Sequence, residues 1–160
     1  MKVREINERE KEIIGKLNVE FGVDIFDILK GMKIIVSGRR EVSAVAPDAY
    51  RALKSMERDP YSAGLRLGKI KKEKFDLALE GAAIIAPHSP KKVVLDQKQE
   101  QLVLYGGDVR SKTAIKKSGL QDGERCFLVN ENMENIAIGR IENDKIINVR
   151  DRGHYLRSGR

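Results

Sequence analysis

Hydrophobic residues in the first part of the chain recur first at helical spacing and then at strand spacing. The pattern over 4–21 predicts an amphipathic helix, and a second short helix is predicted over 24–29. Two short apolar segments then flank the turn 37–40 and predict a β-hairpin. Pro47 suits the first turn of a further helix, which runs to about Met56. The residues that we expect to face inward from this helix are Ala49, Ala52, Leu53 and Met56.

The middle of the chain returns to strand-like patterns and ends in a proline-flanked segment. The alternation over 64–70 predicts a strand, after which we expect a charged helix or loop. The apolar segment 82–86 predicts a buried strand. The segment 87–90 has a proline at each end and is the best candidate for a domain boundary. We therefore expect an α/β domain over 1–88 and a second domain over 91–160.

The second domain has a mostly strand-like pattern. Gly106 and Gly107 predict a tight bend, after which Asp108 is expected to cap a short helix over 109–118 that Gly119 ends. Many short strands around one short helix are typical of a small β-barrel. The predicted strands are 92–95, 101–105, 125–129, 135–141 and 146–149.

Charge and composition narrow the class of partner. The 160 residues carry 31 Lys and Arg against 24 Asp and Glu, a net charge of +7 that favours nucleic acid or an anionic membrane surface as partner. The longest apolar stretch is too short to span a bilayer, and the N-terminus lacks the apolar stretch of a signal peptide. The single cysteine, Cys126, favours a reducing compartment, and its apolar neighbours indicate a buried structural thiol. We expect a soluble cytoplasmic protein.

Four segments of the second domain resemble, in order, the signatures of PUA domains. They are 104–109 (LYGGDV), 122–130 (DGERCFLVN), 136–141 (IAIGRI) and 149–157 (VRDRGHYLR), the last resembling the closing strand. In the first domain, 59–64 (DPYSAG), 68–70 (GKI) and 86–87 (AP) resemble the archaeal branch of the Nip-seven ribosome-biogenesis family.

This resemblance implies an α+β fold in which an α/β pre-PUA domain precedes a small PUA-type pseudo-β-barrel. It also implies RNA binding, a role in the maturation of large-subunit ribosomal RNA, and contact with RNA-processing proteins such as the exosome or its adaptors.

The candidate RNA-binding residues lie in the last strand and tail, the glycine bend and the helix after it. They are Lys145, Arg150, Arg152, Tyr155, Arg157, Gly106, Gly107, Arg110, Lys112 and Lys116. Arginine pairs with phosphate through its planar fork, and glycine allows RNA to approach the backbone closely. In a strand, Arg150 and Arg152 would share a face. Tyr105 either stacks a base or closes the barrel core.

From charge alone, a solvated terminal strand is an equal alternative to RNA binding. The basic set over 66–74 in the first domain is similarly open: it could extend the RNA contact, face a protein partner or face solvent.

Signals of catalysis are weak. The segment 106–113 is one residue short of a P-loop and follows a predicted strand, but Ser111 replaces the second glycine. His88 and His154 have no Cys or His at metal-ligand spacing. We predict a non-catalytic RNA-binding protein without cofactor or metal. Two alternatives stay open: an adaptor that recruits an RNA-processing complex such as the exosome, and an RNA-modifying enzyme.

Overall fold

The computed structural model describes residues 3–58, 60, 62–154 and 157. The chain forms two compact units, one from Met1–Val19 with Val23–Gly81 and the other from Glu20–Gly22 with Ala82–Arg160. Each unit contains a five-stranded sheet in its described residues, together with helices. The predicted α+β class is therefore confirmed.

The sheet of the first unit is antiparallel throughout, and its strands are neighbours in chain order. Its strands are β1 (Arg4–Glu5), β2 (Lys33–Val36), β3 (Glu41–Val45), β4 (Leu65–Lys71) and β5 (Lys74–Leu77). The helices that begin in this unit are α1 (Glu8–Phe21), α2 (Ile25–Ile28), α3 (Pro47–Ser55) and α4 (Leu79–Ile85). The hairpin predicted around 37–40 and the strand predicted over 64–70 are both confirmed.

The first helix begins four residues later than predicted. Arg4 and Glu5 pair with β2 as a short edge strand. The side chain of Asn7 accepts the N–H of Glu10 at 2.9 Å, and the carboxylate of Glu10 accepts the N–H of Asn7 at 2.9 Å. This reciprocal capping box satisfies donors at the helix N-terminus, so α1 begins at Glu8.

The inward face predicted for α3 is wrong at most of its positions. Leu53 is half-buried and packs with Tyr50 against a small apolar cluster, whereas Ala49, Ala52 and Met56 are exposed. The larger side chains at 50 and 53, three residues apart, determine which face packs. Met56 lies beyond the helix with an extended backbone and so leaves that face.

Two further predictions for this half of the chain assign the wrong type of secondary structure. The charged helix or loop after β4 is a hairpin, since Lys72 and Glu73, with φ of 44° and 64°, form a two-residue turn into β5. The segment 82–86, predicted as a buried strand, is helical: it ends α4, and Ala86 begins a 3-10 turn. A short apolar run has the same pattern in a buried strand and a buried helix, so periodicity could not distinguish them.

The sheet of the second unit has the order β6-β8-β9-β10-β7, with only β6 and β8 parallel among its described pairs. Its strands are β6 (Lys92–Val94), β7 (Val109–Arg110), β8 (Arg125–Val129), β9 (Asn135–Glu142) and β10 (Lys145–Asp151). Its helices include α5 (Gln97–Leu104) and α6 (Lys112–Ser118). The sheet and α5 contribute to a core of Val93, Leu95, Val103, Val109, Cys126, Leu128, Ile136, Ala137, Ile141 and Ile146.

Two predictions in the second unit are corrected by helix caps. The segment 101–105 is mostly helical because Asp96 and Gln99 form a capping box at the start of α5, with bonds of 2.8 and 2.9 Å. Asp108 does not cap α6: the cap is Ser111, which accepts the N–H of Ala114 at 3.1 Å. The predicted end of α6 is confirmed, since Gly119 stops it with a φ of 71°.

Candidate nucleic-acid interface

An open cavity of about 370 Å³ lies where β10 approaches the turn after α5. Its walls come from β10, from that turn and from the residues that follow β10. They are Gly106, Asn148, Val149, Arg150, Asp151, His154 and Arg157. The fold therefore brings together three of the residues predicted from the sequence, namely Gly106, Arg150 and Arg157.

Arg157 forms a bidentate ion pair with a buried carboxylate. Its guanidinium donates to both oxygens of Asp151 at 3.0 and 3.1 Å and to the carbonyl oxygen of Leu104 at 2.5 Å. The hydrogen bond to Asp151 raises the pKa of Arg157 above its ordinary value. Most of the donors of Arg157 are thus used within the protein, which makes its first role the attachment of the tail to the end of α5.

Asn148 connects the same carboxylate to the loop before β7. Its side-chain amide donates to Val103 O at 3.0 Å, Gly107 O at 3.3 Å and Asp151 Oδ2 at 3.1 Å. Its backbone N–H donates to the carboxylate of Asp108 at 2.8 Å. Asp108, predicted to cap a helix, instead fixes the loop to β10. Among the described residues, Asn148 Oδ1 is buried without a hydrogen-bond partner, and Asn148 lines the cavity.

Gly106 and Gly107 terminate α5. The N–H of Gly106 donates to Val103 O and the N–H of Gly107 donates to Leu102 O, both at 2.9 Å, which is the Schellman arrangement. Gly106 has a φ of 90°, and a Cβ there would lie 3.1 Å from the guanidinium carbon of Arg157. Both backbone donors are occupied, so these glycines offer clearance to a ligand and no free N–H groups.

A basic edge lies at the opposite end of β10. Arg110 on β7 lies directly opposite Lys145 on β10, so their side chains leave the same face of the sheet about 5 Å apart at Cβ. Arg110 is exposed and Lys145 is half-buried. On its other side Lys145 faces Glu142 of β9, whose carboxylate lies 3.6 Å from Arg140. The acid nearest in register to Lys145 is therefore already engaged by another cation.

The two α6 lysines predicted from the sequence are exposed on neighbouring turns of the helix. The amine of Lys112 lies 3.5 Å from the carboxylate of Asp144, in the turn just before Lys145. This contact brings the start of α6 to the β7–β10 edge, while Lys116 lies one turn further along the helix.

The tail does not continue as the predicted strand. A bulge between Asn148 and Arg150 shifts the register, and β10 ends at Asp151. Arg152 is exposed in the turn that follows, so it does not alternate regularly with Arg150. The N–H of Arg157 donates to Gly153 O at 3.0 Å, as in one turn of helix. Tyr155, the aromatic residue predicted to contact RNA, lies outside the described residues.

Tyr105, for which the sequence left base stacking and closure of the barrel core as alternatives, is exposed at the end of α5. It immediately precedes Gly106, and 82% of it is exposed, so it does not close the barrel core. An exposed aromatic ring next to a residue of the cavity wall suits the stacking of a nucleobase. The sequence contained a signal for the exposure of Tyr105, since a residue at the C-cap of a helix lies outside the helix face that is buried. It was missed because 101–105 was assigned to a strand.

The signals of catalysis weaken further in the structure. The P-loop-like segment follows helix α5 rather than a strand, and its glycine N–H groups bond to carbonyl groups of that helix. Burial raises the pKa of the Cys126 thiol to about 12, which disfavours the reactive thiolate. In the described part of the chain, no group of His, Cys, Asp and Glu is arranged to hold a metal ion. No helix in the same residues is both long and apolar enough to cross a membrane.

Comparison with known proteins gives a family match for each half of the chain. The family model described as NIP7/UPF0113, pre-PUA domain, matches residues 3–79, and the UPF0113 PUA domain model matches residues 91–160. A UPF0113 protein from Archaeoglobus fulgidus is 26% identical over 169 aligned positions, covering 98% of this chain and 95% of the relative. A solved conserved PUA domain protein from Thermoplasma acidophilum superposes with a TM-score of 0.56 at 13% identity, covering 99% of each chain. The predicted pre-PUA plus PUA-type fold is confirmed.

Proposed function

Because the chain belongs to the NIP7/UPF0113 family, with a pre-PUA domain followed by a PUA domain, we propose that it acts by binding RNA. We place the boundary between the domains so that they span 1–88 and 91–160. The observation that carries the proposal is the pairing of Arg110 with Lys145 at the start of β10. The other end of β10 lines the cavity, and the exposed Tyr105 immediately precedes Gly106 of the cavity wall. Two adjacent cations attract the phosphate backbone, and an aromatic ring suits a base.

The proposed action is binding without catalysis. The β10 cavity holds an ion pair that is already satisfied, and its residues include no nucleophile paired with a base. Such a site can hold and orient an RNA, and it leaves any chemistry to a partner.

The finer proposal concerns which RNA is bound. The family resemblance supports large-subunit ribosomal RNA as the ligand and ribosome biogenesis as the process, with RNA-processing proteins such as the exosome or its adaptors as partners. Cross-linking of the full chain to RNA in cells, followed by sequencing, should enrich large-subunit ribosomal RNA over messenger RNA of equal abundance. Equal recovery of both would reject the finer proposal and leave RNA binding itself intact.

RNA binding is tested by fluorescence anisotropy with short single-stranded and duplex RNAs over a salt series. The interface variant replaces Arg110, Lys145 and Arg152 with Gln. Arg157 is left in place because its ion pair supports the fold. The control variant removes the same charge from exposed lysines elsewhere, namely Lys16, Lys30 and Lys98.

Each phosphate contact contributes about 0.7 to the slope of log affinity against log salt for single-stranded RNA, so the interface variant should lose a slope of about 2. The control should keep the slope of the wild type. Equal affinities and slopes for the two variants would place RNA elsewhere on the molecule. The absence of any binding at low salt would reject the function.

A further inference from the structure

Two hairpin turns of the first unit lie side by side, and both carry cations. Because β2, β3, β4 and β5 are antiparallel neighbours, the turn 37–40 and the turn at Lys72 and Glu73 emerge at the same end of the sheet. The N–H of Ile70 in β4 donates to the carbonyl of Arg40 at 3.0 Å, which joins the first turn to the strand that leads into the second. We call this region the hairpin-tip surface; its cations are Arg39, Arg40, Lys69, Lys71, Lys72 and Lys74.

The carboxylates of these hairpins already have cationic partners. Glu73 accepts from Arg9 at 2.8 Å, and Asp76 accepts from Lys71 at 2.8 Å. Glu41, opposite Lys69, lies 3.7 Å from Arg66.

Three lysines of this surface are therefore in excess. Lys69, Lys72 and Lys74 have no ion-pair partner among the residues that the structure describes. Lys72 and Lys74 are exposed and Lys69 is half-buried. The surface thus presents positive charge that the protein itself does not neutralise.

The residues of the β4–β5 turn are unfavourable for the hairpin that they form. Lys71 and Lys74 lie directly opposite each other, and like charges in that position destabilise a hairpin. Lys72 and Glu73 both have positive φ, where glycine or asparagine would be favoured. Local conflicts of this kind concentrate at functional sites.

We propose that the hairpin-tip surface is a second RNA contact, which binds the phosphate backbone. The inference rests on the proposed RNA-binding function and adds a site in the pre-PUA domain to it. Lysine ammonium groups are compact point charges that pair with phosphate in any sequence, so this contact adds affinity without base preference. The excess of basic over acidic groups, with the acids already engaged, favours a polyanion over a protein of mixed charge.

The test uses the full chain with Lys69, Lys72 and Lys74 replaced by Gln. It is compared with the interface variant (Arg110, Lys145 and Arg152) and with the control variant (Lys16, Lys30 and Lys98) of equal charge. The hairpin-tip variant should bind single-stranded RNA about tenfold more weakly at low salt and lose a salt slope of about 2. Its melting temperature should equal or exceed that of the wild type, because the repulsion between Lys71 and Lys74 is removed.

The outcomes separate this inference from the function on which it rests. If the hairpin-tip variant binds RNA like the control while the interface variant loses binding, the second contact is rejected and the proposed function stands. If wild-type protein binds no RNA, both are rejected. If the hairpin-tip variant loses affinity for poly-glutamate and keeps its affinity for RNA, the surface recognises an acidic protein and the RNA contact is wrong.

Discussion

Arg157 and Asp151 form an ion pair in which both guanidinium terminal nitrogens meet both carboxylate oxygens, at 3.0 and 3.1 Å. The carboxylate is 6% exposed, and it also accepts the side-chain amide of Asn148 at 3.1 Å. The same guanidinium reaches the carbonyl of Leu104 at the end of α5. This one pair therefore ties the tail, β10 and α5 together and shapes the cavity at the end of β10.

Replacing Asp151 with Asn should lower the free energy of unfolding by about 1–3 kcal/mol, because a buried acceptor with several bonds loses its charge. Urea unfolding measures this change. Arg152→Ala, at the next position, is the control: Arg152 is exposed, so the variant should unfold like the wild type while binding RNA more weakly. If the two variants are equally stable, the ion pair does not hold the tail.

Gly106→Ala tests the close packing of the turn against the same guanidinium. A positive φ alone costs about 1 kcal/mol in a residue with a side chain, and here the added Cβ would also meet Arg157 at 3.1 Å. Gly123→Ala is the matched control, since Gly123 has a φ of 86° and nothing within 4 Å. Gly106→Ala should therefore lose more stability in urea than Gly123→Ala. Equal losses would mean that Arg157 moves aside freely.

Much of the fold could be predicted from the sequence, because long periodic patterns and turn signals agree. The strands β8 and β9 and the ends of α6 and α1 were located within a few residues. The failures were short segments. Helices α4 and α5 were assigned to strands since a few apolar residues suit either structure, and side-chain caps such as Asp96 with Gln99 decided the outcome.

The sequence allowed the residues of the candidate site to be predicted, but it did not predict which of them are in contact. The sequence identified Arg110, Lys145 and Arg157, yet only the fold reveals that Arg110 and Lys145 are opposite each other and that Arg157 is engaged by Asp151. These relationships depend on contacts between residues far apart in the chain, which no local pattern contains. The exposure of Tyr105 was missed for a local reason, because 101–105 was assigned to a strand, whereas Tyr105 is the C-cap of α5.

Tyr105→Ala should weaken RNA binding by about 1–3 kcal/mol, the usual value for the loss of one base-stacking ring. The loss should be the same at every salt concentration, because stacking releases no counterions. Tyr105→Phe keeps the ring and should bind like the wild type in anisotropy. A loss for Tyr105→Ala that disappears at high salt would point to an electrostatic effect and reject the stacking role.

Glu10 should make the stability of the first unit depend on pH. The hydrogen bond from Arg4, with N···O distances of 2.6 and 2.9 Å, is the main cause that lowers the pKa of Glu10 from its ordinary value of 4.5. The folded protein therefore keeps Glu10 ionised to a lower pH than the unfolded chain does. Its stabilising effect is present above pH 4.5 and is lost as the pH falls through the folded pKa.

Glu10→Gln should consequently cost about 1 kcal/mol at pH 7, and urea unfolding at a series of pH values should show this difference from the wild type shrinking below pH 4.5. The control is Glu12→Gln on the same helix, because Glu12 is 68% exposed and its ion pair with Arg9 is expected to add little. A Glu10→Gln deficit that persists unchanged at pH 3 would show that the glutamate contributes through its shape and neutral hydrogen bonds, and that its charge is unimportant to the capping box.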